Sequence, residues 1–123
     1  MSKALNETMG TFGYDKLFVE NIPEADVVIV NLTVAGVVKR GTVLSGTPGG
    51  ADFAALNAAA STSKALYVLA EDCDTDEDTV GIAYRTGHFN RNALIVADSY
   101  TLTAADEEIL RKSGILLADA LEY

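Results

Sequence analysis

Beyond Asp26 the chain is written in short apolar runs separated by turn residues, the spacing of strands rather than helices. Val27 to Val34 is dense in β-branched residues and predicts a strand, after which Gly36 turns the chain into a second run, Val37 to Leu44. Ser45-Gly46-Thr47-Pro48-Gly49-Gly50 is a loop, because Gly and Pro punctuate it four times in six residues. Ala51 to Ser63 reads as a variable loop with a helical turn. Its six alanines favour helix, but few of its side chains are able to anchor one.

Ala65 to Ala70 is apolar on both faces and predicts a central strand. Thr79 to Thr86 alternates, with Val80, Ile82 and Tyr84 on one face and Gly81, Ala83 and Arg85 on the other. Gly87 is expected to end that strand, and Asn90 to Asn92 to form a polar turn before Ala93 to Val96. One helix is signalled, over about 103–113. Thr103 is its N-cap and Asp106 stands three residues on, as in a capping box; Arg111 and Lys112 close it and Gly114 occupies the C′ position. The tail from Ile115 to Tyr123 fits a final strand or a helical extension. The fold class predicted is α+β, mainly β: a small mixed sheet or barrel-like domain with one helix in its C-terminal half.

The first 24 residues break this pattern. They hold Phe12, Tyr14 and Phe18, three of the nine aromatics, among Gly10, Gly13 and Pro23. Tyr14, Leu17 and Phe18 share a face if they form one helical turn. Two readings stay open: a turn packed on its own core, or an extended arm that docks its aromatics on another chain. The division expected is an arm over residues 1–24 and a domain over 25–123.

Composition mainly excludes. The chain has 123 residues, enough for one domain, and 9 basic against 18 acidic residues, a net charge of −9. Such a chain is repelled by phosphate backbones and anionic membrane surfaces, so neither nucleic acid nor membrane is an expected partner. Its longest strongly apolar stretch, Val27 to Val38, is far short of the roughly 20 residues of a membrane helix. Met1-Ser2-Lys3 is followed by no apolar h-region, so no secretory signal is expected.

Cys73 is the only cysteine and His88 the only histidine, which removes a disulfide framework and every paired-histidine metal motif. Six carboxylates crowd the eight residues Glu71 to Asp78. Asp72, Asp74, Asp76 and Asp78 make a calcium-responsive binding module the alternative reading, because hard cations want several oxygens. The EF-hand template nevertheless fails: counted from Asp72, Glu77 and Ala83 stand where Gly and Glu are required, and from Asp74 the same places hold Thr79 and Arg85. A solvated loop is the simpler reading, with no metal and no cofactor. Those carboxylates raise a thiol's pKa, so Cys73 is a poor nucleophile, and no motif supplies His88 with a nucleophile or an orienting group. No enzyme is predicted.

Several phrases, in order, resemble a known family. They are Tyr14-Asp15-Lys16-Leu17-Phe18, Lys39-Arg40-Gly41-Thr42-Val43-Leu44, Leu69-Ala70-Glu71-Asp72, Tyr84-Arg85-Thr86-Gly87, Phe89-Asn90, and Leu102-Thr103-Ala104-Ala105-Asp106-Glu107-Glu108 ending in Gly114-Ile115. Together, from about Tyr14 to Leu116, they resemble the bacteriophage lambda head decoration protein D-like family of phages and prophages. The resemblance implies a structural protein on the outer surface of the expanded capsid, commonly trimeric at threefold positions, where it clamps major capsid subunits against the pressure of packed DNA. It implies a virion location on the capsid exterior, with host cytoplasm before assembly. It makes Phe12, Tyr14, Leu17 and Phe18 of the arm the candidates for capsid contact. Val28 and Val30 lie in a run placed to pair with a capsid strand, and Lys39 and Arg40 are further contact candidates.

Overall fold

The computed structural model describes residues 17–20, 25–34 and 36–118. Nine strands and one helix follow in order: β1 (Phe18–Glu20), β2 (Asp26–Asn31), β3 (Val37–Val38), β4 (Val43–Gly46), β5 (Ala54–Ala55), β6 (Ala65–Leu69), β7 (Cys73–Asp74), β8 (Val80–Asn90), α1 (Ala104–Lys112) and β9 (Ile115–Ala118). The molecule is mainly β, as the periodicity predicts, and its sheets are open rather than closed into a barrel.

β8 organises everything else. Its first half lies between β2 and β6, both antiparallel to it; its second half lies between antiparallel β1 and parallel β9. β4 then pairs with β6 and β5 with β4, while β3 and β7 form a separate two-stranded ladder. Gly87 does not end β8, which runs on to Asn90. A Cβ there would meet the Phe89 ring at 2.8 Å, so the glycine makes room for a core aromatic inside a continuous strand. The expected run Val37 to Leu44 is instead broken, because Gly41 takes a positive φ of 93° and its N–H bonds to the Leu69 carbonyl at 2.9 Å.

The main sheet carries a core on each face. One core gathers Leu17, Val43, Leu56, Leu66, Val68, Phe89, Leu110 and Ile115; the other gathers Val30, Leu32, Leu44, Phe53, Leu69, Cys73 and Ala83. Successive side chains of a strand point to opposite faces, so Val43 enters the first core and Leu44 the second, as do Val68 and Leu69. This two-sided burial is why β6 reads as apolar throughout. Ala51 to Ser63 holds no helix: Phe53 and Leu56 are each 3% exposed and enter different cores. A helix would put residues three apart on one face, whereas extended chain sends them to opposite sides.

The α1 helix has the ends that the sequence signals. Thr103 is extended, its hydroxyl accepts from the Asp106 N–H at 3.2 Å, and the Asp106 carboxylate accepts from the Thr103 N–H at 2.9 Å. At the other end Gly114, with φ of 98°, lets the chain turn directly into β9, so the tail is a strand as far as Ala118. No helix among the described residues is long and apolar enough to cross a membrane.

Candidate functional site

β2 is the element whose surface asks for an explanation. Val28 packs partly buried against the second core and Val30 is 3% exposed, so both point inward. The alternate residues point outward: Val27 is 54% and Ile29 71% exposed. Ile29 pairs with Ile82 of β8 and Asn31 with Val80, and those two are 40% and 48% exposed in turn. Four apolar side chains thus form one uncovered face, with no charged side chain among them. At its margin Asp26 and Arg85 are ion-paired at 2.6 Å. The small residues Gly81 and Ala83 are the ones that face inward, where a Cβ on Gly81 would lie against Leu69 and Leu32. Alternation alone identifies the two faces of this strand but not which is buried.

The sequence-predicted contact residues are divided by the structure. Phe12 and Tyr14 lie outside the described residues. Leu17 is 3% exposed in the first core. Phe18 packs against it, its ring 5.0 Å from Tyr84 and 5.1 Å from Phe89. Leu17 and Phe18 therefore pack on the chain's own core, with Phe18, half-buried, as the first residue of a strand rather than part of a helical turn. Val28 and Val30 likewise face inward, and it is Val27 and Ile29 beside them that face outward.

Arg40 is half-buried and structural. Its N–H donates to the Asp72 carboxylate at 2.7 Å and its Nε to the Ala70 carbonyl at 3.0 Å, tying the β3–β4 turn to the β6–β7 turn. Lys39 stays exposed, with Nζ 4.0 Å from Asp72, a geometry worth little in water.

The acidic loop is solvated and held by its own backbone. Glu71, Asp72, Asp74, Asp76, Glu77 and Asp78 are all exposed. The Asp76 N–H donates to the Asp74 carboxylate at 3.1 Å and the Val80 N–H to Asp78 at 3.0 Å. Buried Thr75 donates its hydroxyl to the Gly36 carbonyl at 2.9 Å and pins the loop. Among the described residues no group of three or more acidic, Cys or His side chains is arranged to hold a metal ion. Cys73 is buried, and burial first, then Asp78 and Asp74, pushes its thiol up, away from the reactive thiolate. It sits on β7, whereas His88 lies on the far half of β8, paired with Leu116 of β9. The structure brings these two together no more than the sequence does.

The surface thus offers contact area, and comparison with known families supplies the context. Residues 13–116 match the family of the bacteriophage lambda head decoration protein D. The chain belongs to that family. These are structural proteins of the phage head and not a family of enzymes, which gives a virion capsid setting to a molecule that carries an uncovered apolar face. All but the first of the quoted phrases of the resemblance fall on described strands, turns and the helix. No curated protein matches the chain.

Proposed function

We propose that this protein binds the outer surface of the expanded phage capsid, on the major capsid protein, as a homotrimer at threefold positions, and stabilises the head against internal DNA pressure. It is made in the host cytoplasm and joins the virion at assembly. The observation that carries the reading is family membership over residues 13–116. The uncovered face of Val27, Ile29, Val80 and Ile82 supports it, since large apolar side chains gathered on a strongly acidic surface mark a protein contact. Attachment is assigned to the arm, redrawn as residues 1–16 because Leu17 and Phe18 belong to the core. Exposed Lys39 is a secondary contact.

Removal of residues 1–16 tests this. The truncated chain keeps every core residue among those described, so it is expected to fold and to lose co-sedimentation with expanded heads by at least ten-fold. Normal occupancy by the truncated chain would refute the arm assignment.

A further inference from the structure

Backbone direction along β2 shows what its outer edge offers. The Asn31 carbonyl accepts from the Phe53 N–H at 3.3 Å, and the Thr33 N–H donates to the Phe53 carbonyl at 2.9 Å, both on the side away from β8. The Leu32 N–H points the other way, to Thr79 of the adjoining turn at 2.8 Å. Backbone groups alternate between edges along a strand, so Val27 and Ile29 aim their N–H and C=O outward like Asn31. Among the described residues β2 pairs only with β8, and nothing continues the Phe53 bonds toward Asp26. An apolar face and an open edge thus coincide on one strand, a combination that proteins normally cover.

We propose that residues 10–15 of a second copy of this chain cover it as an added strand, with Phe12 and Tyr14 over the apolar face. In extended chain Gly10, Phe12 and Tyr14 point to one side, at the two-residue spacing of Val27 and Ile29. The segment carries one charge, Asp15, so docking it on an uncharged face avoids most of the repulsion between two chains of net charge −9.

Chain length makes the donor a second copy. The Leu17 carbonyl accepts from the Asn90 N–H at 2.7 Å, while Val27 pairs with Tyr84 and Ile29 with Ile82, so along β8 Leu17 lies roughly 20 Å from Val27 and roughly 26 Å from Ile29, at about 3.3 Å per residue. Tyr14 stands three residues before Leu17 and Phe12 five, so their backbones reach at most about 10 and 18 Å from it. Neither can lie beside its partner in its own chain. The contact is head-to-tail, the kind that closes into a ring, and it leaves residues 1–9 free to engage the capsid.

Cross-linking tests the proposal. Full-length F12C chains and isotopically heavy I29C chains are mixed and mildly oxidised, in solution and on expanded heads; buried Cys73 leaves the introduced thiols as the reactive ones. The expected product is a light–heavy pair at least ten-fold above either like pair in one or both settings, with a Y14C and V27C mixture behaving the same way. Absence of the light–heavy pair in both settings overturns the proposal. So does ring closure within single F12C/I29C chains, or shielding of I29C on heads without any light–heavy pair, which would place a capsid strand on this edge. The pair formed in solution is independent of head binding, so a failure to decorate heads counts against the proposed function and not against this contact.

Discussion

At the residue scale the strongest polar feature is Asp106, a carboxylate only 1% exposed. One oxygen accepts from the Ala60 N–H at 2.8 Å; the other accepts from the Thr103 N–H and from the Tyr100 hydroxyl. Burial alone would raise its pKa, but the bonds from Tyr100, Ala60 and Thr103 outweigh burial and hold the carboxyl below its ordinary value. One side chain therefore caps α1 and fastens the Ala60 segment to it. Asp106→Asn is expected to cost about 2–3 kcal/mol in urea unfolding, since it leaves a buried donor without its acceptor; Tyr100→Phe should cost about 1 kcal/mol. The pH dependence has a definite sign. A carboxyl whose folded pKa is depressed contributes stability that is complete above its unfolded value, about 3.9, and is lost as pH falls through the lower folded value. Wild-type stability should thus drop below about pH 4, and part of that slope should be missing in Asp106→Asn. An unchanged acid limb would count against the role given to this carboxylate.

Elements differ in how far the sequence announces them. The helix was legible at both ends because capping chemistry is local: Thr103, Asp106 and Gly114 act within a few residues of themselves. β6 was legible because burial on both faces makes a strand apolar throughout. β5 was not, since only tertiary contacts send Phe53 and Leu56 into separate cores. β8 runs past the end its sequence suggests, because a glycine in a strand looks like a stop until the Phe89 ring lies against it. The same limit applied to the candidate site. The run Val27 to Val34 was read as a strand, yet which of its faces met water depended on the side from which Phe53 and Cys73 closed the second core. Two substitutions follow from these elements. Gly87→Ala should destabilise by about 1–3 kcal/mol, because the new Cβ overlaps an aromatic ring that has no room to retreat. At concentrations where the chain is monomeric, Ile29→Thr should change stability by no more than about 0.5 kcal/mol, whereas Val30→Ala, one residue on, should cost about 2 kcal/mol. Equal costs at 29 and 30 would mean that the outward face of β2 is covered within the monomer.

As a whole molecule the protein is a sheet with a core on each side and an apolar face on β2 and β8 that its own described residues leave open. Its acidity is concentrated: six of the 18 acidic residues occupy the loop Glu71 to Asp78, which faces solvent and turns back on itself. That arrangement suits a structural subunit that must stay soluble until it meets its partners. Membership in the head decoration family makes the head the place to look for them. The most direct measurement is to mix the full-length protein with expanded, undecorated heads of its phage and image them. Added density on the outer surface, at the threefold positions, with three copies in each, is the expected result. Saturating amounts of protein that leave the heads bare, or density confined to other positions, would contradict it.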